Sequence, residues 1–210
     1  MDFQRLVEIV QDEPVFETGL LLAGQVDPNN IRRQLTRWTQ AGLLFQLRRG
    51  LYALAPPFQK GKAHPFVIAN RLVGGSYVSC QSALAHFDLI PESVPTVVSV
   101  CSCRPGHRDT PLGSFLVRHM RRKYLGGYQL LELGNGQEAL VAIPEKALLD
   151  LIYLTPEGDS AEYIHSLRLQ NLENLNMRSL KNVAKIFDKP KLTRAVEVLI
   201  AQSTLGENDR

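Results

Sequence analysis

Between Asp27 and Asp88 the chain carries no acidic residue, although 21 of its 210 residues are Asp or Glu. All six acids of the first sixty residues fall at or before Asp27, and the same acid-free stretch holds Arg32, Arg33, Arg37, Arg48, Arg49, Lys60, Lys62 and Arg71. A net charge of +3 is too small to identify a partner by itself, so the distribution carries the information: one face of a small N-terminal unit should be nearly pure positive potential. Other scarcities narrow the field. No apolar run approaches the roughly 18 residues that span a bilayer; the one around Gly19 to Ala23 is far too short. Three cysteines, an odd number, and no cleavable apolar leader predict reduced thiols and a cytoplasmic protein. There is no phosphate-cradling glycine loop and no paired-cysteine zinc knuckle, so no cofactor is expected. What is present, 44% apolar residues, supplies material for one mid-sized core or two small ones.

Asp2 caps a first helix whose Phe3, Leu6, Ile9 and Val10 recur at helical spacing and which stops near Asp12, before Pro14. A second short helix is predicted over Thr18 to Ala23, with Gly24 as its stop and a turn at Gln25 and Val26. Asp27 followed by Pro28 is the strongest helix start in the chain, because a proline at the first helical position gives up only an N–H that would be unpaired anyway. On this third helix Ile31, Leu35 and Trp38 share a face and should anchor a small core. Gly42 ends it, and Leu43 to Gln46 with Gly50 to Leu54 read as strands around a tight turn at Arg48, Arg49 and Gly50, where the glycine supplies a positive φ. Three helices and a hairpin make a winged helix-turn-helix over 1–56.

Pro56, Pro57 and the lysines that follow read as a linker, 57–64. Beyond it, helix is predicted for Pro65 to Leu72, an extended segment for Tyr77 to Ser79, and a helix opening at Ser79 or Ser82. Strands are expected at Thr96 to Ser102, Ser114 to His119, Tyr128 to Leu133 and Glu138 to Ala142, with turns at Arg104 to Gly113 and Gly134 to Gly136, in a mixed or antiparallel sheet. Pro144 opens an amphipathic helix, and further helices run from Ser160 to Leu169, Met177 to Phe187 and Pro190 to Gln202. The expected fold class is therefore α+β: the winged helix, then a mixed α+β domain over 65–202 with a helical tail, and a frayed end at 203–210.

A helix lying in a major groove needs arginines and short amides projecting from one face, since arginine pairs bidentately with guanine and asparagine or glutamine with adenine. Asn29, Asn30, Arg33, Thr36, Arg37 and Gln40 supply that chemistry, with Arg32 beside them. Arginines on an amphipathic helix usually just solvate it, but here the helix has no carboxylate partner and a second arginine pair, Arg48 and Arg49, sits at the hairpin tip, where it would meet phosphate. Tyr52 reads as a packed strand residue. A second basic cluster, Arg118, Arg121, Arg122 and Lys123, with Arg104 and Arg108 before it, is either solvated surface or an auxiliary phosphate contact.

Other constellations point to packing. Cys101, Cys103, His107 and His119 match no usual zinc spacing. Ser82 and His86 lie one helical turn apart without an acidic orienter, which reads as helix packing. Glu145, Lys146 and Asp150 resemble metal-dependent phosphodiester chemistry, yet Glu145 suits a helix start and Lys146 with Asp150 reads as an ordinary surface pair. No metal site and no catalytic residue are expected.

Four blocks, LRRGLYAL at Leu47–Leu54, YVSCQSALAHFDLIPE at Tyr77–Glu92, RPGHRDTPLG at Arg104–Gly113 and PEKALLDLIYLTP at Pro144–Pro156, in this order and spacing resemble the AbiEi family of type IV antitoxins of bacterial abortive-infection systems. The resemblance implies a winged helix that binds inverted repeats in its own promoter as an autorepressor, and a C-terminal domain that supplies antitoxicity. It implies an AbiEii-like nucleotidyltransferase toxin as functional partner, without a stable complex. Carried over by position, the role in binding double-stranded DNA falls on Arg32, Arg33, Arg37, Arg48 and Arg49. Two rival expectations are a catalytic second domain, nuclease or nucleotidyl-processing, and a winged helix that docks a protein.

Overall fold

The structure, a computed structural model, describes residues 1–23 and 26–208, with side chains as far as Ala201. The chain is mixed α+β, with two sheets. It opens with α1 (Phe3–Val10), capped as expected by Asp2, whose carboxylate accepts the Arg5 N–H at 2.8 Å. A two-residue strand β1 (Phe16–Glu17) follows, and the second short helix is present at Thr18–Leu22 as a 3-10 helix; Gly24 and Gln25, read as its stop and the start of the turn, lie outside the described residues. Next come α2 (Pro28–Gln40), β2 (Leu44–Arg48) and β3 (Leu51–Leu54). β1 pairs antiparallel with β3, so the hairpin becomes a three-stranded sheet in the order β1-β3-β2. Gly50 has φ +81, the left-handed value the tight turn requires.

The remaining elements are α3 (Pro65–Leu72), β4 (Tyr77–Val78), α4 (Cys80–His86), β5 (Thr96–Cys101), β6 (Gly106–Thr110), β7 (Gly113–His119), a 3-10 turn at Arg122–Tyr124, β8 (Tyr128–Glu132), β9 (Glu138–Ala142), α5 (Pro144–Leu154), α6 (Ala161–Ser166), a 3-10 turn at Leu172–Asn174, α7 (Met177–Phe187) and α8 (Pro190–Asn208). The second sheet is six-stranded, β6-β7-β5-β4-β9-β8, with parallel pairs β5–β7 and β4–β9 and antiparallel pairs elsewhere. It is thus of the mixed type, and its edge strand β6 occupies the segment expected to be a turn. α8 continues to Asn208, past the expected end at Gln202.

Two apolar clusters hold the chain. The smaller gathers Leu6, Val10, Phe16, Leu21, Ile31, Leu35, Leu44, Tyr52 and Leu54. Trp38 is only partly buried at its rim, edge-on to Phe3 with ring centroids 5.6 Å apart, rather than at its centre. The larger is built on β4, β5, β9, α3, α4 and α5, and also takes in Val15, Leu47, Leu51 and Ala53 from the first sheet. Strand β3 is therefore buried on both faces, Tyr52 and Leu54 in one core, Leu51 and Ala53 in the other, as side-chain alternation along a strand dictates.

Candidate nucleic-acid interface

Helix α2 starts where Asp27 accepts the Asn29 N–H at 2.9 Å, and Ile31 and Leu35 fix its rotation by entering the small core. At about 100° per residue, burying those two turns Asn29, Asn30, Arg33, Thr36, Arg37 and Gln40 outward, and all six are exposed. Arg32 is exposed on the flank of the same face and joins Arg33, Thr36 and Arg37 around one shallow surface dip. The Thr36 hydroxyl donates back to the Arg32 carbonyl at 2.9 Å, so its methyl group and the hydroxyl's lone pairs face outward. Among the described residues no carboxylate pairs with Arg32, Arg33 or Arg37.

The hairpin differs from the expectation of a free, wholly basic tip. β1 brings Glu17 opposite Leu51, and Arg48 folds onto it: Nη2 donates to Glu17 Oε1 at 2.9 Å and to the Arg71 carbonyl at 3.1 Å, while Nη1 donates to the Arg49 carbonyl at 3.1 Å. Arg48 thereby ties the turn to β1 and to α3. Arg49 stays exposed with no ion partner among the described residues. Lys60 pairs with Asp12 at 3.4 Å and Arg71 lies 3.9 Å from Glu13, so three cations of the acid-free stretch meet acids that precede it in sequence. The positive face is consequently narrower than sequence spacing suggests, and it centres on α2 and Arg49. Tyr52 is packed, stacked on Phe16 with centroids 6.0 Å apart, and its hydroxyl accepts from Gln46 Nε2 at 3.3 Å.

In the second basic cluster Arg118 is structural, donating to the Leu154 carbonyl at 2.7 Å, whereas Arg121, Arg122 and Lys123 are exposed. Lys123 Nζ stands 4.9 Å from the centre of the Tyr124 ring, which stacks on Phe187 at the end of α7. That helix exposes Arg178, Lys181 and Lys185 along one face, a cationic row that sequence reading passed over. Its signal was the absence of any acid between Glu173 and Asp188.

The enzyme-like charges of α5 are not on the surface. Lys146 and Asp150 are 3% and 0% exposed and ion-paired, correcting the surface-pair expectation. Asp150 also accepts from Ser79 Oγ at 2.8 Å and Tyr77 Oη at 3.0 Å, and Lys146 Nζ donates to Tyr77 Oη at 2.8 Å. Burial pushes Asp150 above the usual carboxylate range, against the pull of Lys146, Ser79 and Tyr77; burial likewise pushes Lys146 down, against Asp150. Gly127 presses its open face against the Lys146 stem, where a Cβ would lie 3.2 Å from Cγ, and at φ +66 it suits only glycine well. Glu145 accepts the Asn176 N–H at 2.7 Å and so docks the loop before α7. These groups are almost wholly enclosed, and their bonds join α5 to β4 and to the α7 region.

Cys101 and Cys103 form a disulfide, against the expectation of free thiols, and His119 Nδ1 lies 2.9 Å from the Cys103 carbonyl. His107 instead meets Ser114 and Asp109 across β6 and β7, so the four residues weighed as a zinc set do not converge. Buried Cys80 has its thiol pushed up to about 12, burial being the main cause, which leaves it unreactive. Ser82 accepts the Val98 N–H at 2.8 Å and donates to the Thr96 carbonyl at 3.3 Å, fastening α4 to β5. No described helix is long and apolar enough to cross a membrane. No protein-family model matches the chain, and no curated protein matches it in sequence.

Proposed function

We propose that this chain is a sequence-specific DNA-binding transcriptional regulator, with its first 56 residues a winged helix-turn-helix and α2 the helix that enters the major groove. The observation that carries this reading is the outward face of α2: exposed Arg33 and Arg37 with Asn30 and Gln40, free of any acid on the helix. Such a face offers bidentate donors to guanine and amide groups to adenine. Two features support it. The order helix, short strand, helical turn, helix, hairpin, with the short strand paired to the hairpin, is that of a winged helix. Arg49 at the tip adds an exposed cation with no ion partner among the described residues, suited to phosphate. Arg121, Arg122 and Lys123 are auxiliary phosphate contacts in this reading. Following the family resemblance, the regulator is an autorepressor and cytoplasmic antitoxin of a type IV toxin–antitoxin pair, its functional partner an AbiEii-like nucleotidyltransferase toxin. The enclosure of Lys146 and Asp150 favours it over a catalytic second domain built on those residues.

The test is fluorescence anisotropy of the full chain on duplex from its own upstream region and on a shuffled duplex, over a range of salt. The upstream duplex should bind more tightly, and R33A or R37A should each weaken it by about 1 to 3 kcal/mol. Equal affinity for both duplexes, unchanged in the two variants, would remove α2 from the role.

A further inference from the structure

Away from α2, an open cavity of about 640 Å³ lies between α3, α4, the 91–95 segment and the β6–β7 hairpin. Its floor is apolar, with Phe66, Ile90, Val97 and Phe115 buried and Val94 and Leu112 half-buried at the sides. None of its lining residues is Lys or Arg. Its charged groups are two carboxylates, of which Glu92 is bonded to Arg168, with Nε donating at 3.1 Å, while Asp88 has no ion partner among the described residues. Two imidazoles, His64 and His86, share the polar lining with Ser82, Ser93, Ser114 and Gln170. His64 Nδ1 accepts the Phe66 N–H at 3.1 Å, so the neutral ring carries its proton on Nε2; burial, then His86, holds its pKa below the ordinary histidine value. Both rings lie against Phe66, with centroids 5.0 and 5.5 Å away.

Concave apolar walls with a few polar groups are the usual form of a small-ligand site. Here the uncompensated charge is negative, and aromatic faces attract cations. Asp88 is exposed, and an anion beside it would meet like charge with no lining cation to offset it. The arrangement does not suit a metal, since among the described residues no three His, Cys, Asp or Glu side chains converge. We propose that this cavity binds a small organic cation, an amine on a flat apolar body, with the body on Phe66, Val97 and Phe115 and the ammonium towards Asp88. The site does not rest on the DNA-binding reading.

The full chain is titrated with phenethylamine, phenylacetate and phenethyl alcohol while the His64 and His86 ring C–H signals are followed by NMR. Phenethylamine should give saturable millimolar shifts, with phenylacetate at least about tenfold weaker because its charge faces Asp88. Asp88→Asn, tolerated at φ 55 because asparagine readily takes the left-handed conformation, should weaken the amine about threefold. Val94→Trp, which fills the cavity from its side, should abolish the shifts. Equal response to the three compounds, or amine binding unchanged in both variants, overturns the proposal.

Discussion

Lys146 and Asp150 stand four apart on α5, the spacing of an exposed helix pair, yet both are buried. Removing one partner strands the other, so Asp150→Ala should cost about 3 to 5 kcal/mol in urea unfolding. Lys146→Met combined with Asp150→Leu should cost far less, because no charge is left buried. A loss under about 1 kcal/mol for Asp150→Ala would mean that the pair is solvated after all. The sequence contained a signal that the spacing obscured: Ala147, Leu148, Leu149, Leu151 and Ile152 surround the helix, and a helix apolar on nearly all sides is an interior one. His64 gives a second prediction. Its folded pKa lies below the ordinary 6.5, so its contribution is complete above 6.5 and is lost as pH falls through the folded value, when Nδ1 gains a proton and no longer accepts the Phe66 N–H. His64→Asn keeps a capping oxygen without titrating. The urea midpoint of the native chain should therefore fall more steeply from pH 8 to 5 than that of the variant, and equal slopes would remove His64 from the pH dependence.

Within the hairpin, neighbouring arginines have separate tasks. Arg49→Gln should reduce the salt slope of DNA binding by about one unit and leave stability nearly unchanged. Arg48→Gln should instead lower the thermal midpoint, since it breaks three donations that join the turn, β1 and α3. Loss of DNA affinity in both with no thermal change in Arg48→Gln would return Arg48 to the tip. Elements with strong punctuation or periodicity are legible: α2 from Asp27 and Pro28, α5 from Pro144, α7 from its apolar face, and β9 as a short apolar run after the Gly134 to Gly136 turn. Those missed lack such marks. β6 reads GHRDT, a polar edge strand whose charges deter pairing with another chain and leave no apolar alternation to detect. β1 has only two residues and is defined by its partner β3. The outward face of α2 followed from sequence because Ile31 and Leu35 set its rotation, whereas the neutralisation of Arg48 by Glu17 depends on a pairing between residues 31 apart.

Over the whole molecule, the two cores meet at β3 and cannot be separated without exposing one of its faces. The chain should therefore unfold as one cooperative unit. Trp38, the single tryptophan, reports on the smaller core, and most of the helix signal comes from residues beyond 65. Urea transitions followed by Trp38 fluorescence and by far-ultraviolet circular dichroism should coincide. An earlier fluorescence transition would show that the first unit melts alone. In the proline- and lysine-containing stretch 57–64 Ala63 is buried and the Lys62 carbonyl accepts from Gln137 Nε2 at 3.0 Å. The double burial of β3 also ranks its amides by their access to deuterium. Those of Leu51 to Leu54 can open only when both sides come apart, so their protons should be among the last to exchange and should report the free energy of global opening rather than of local fraying.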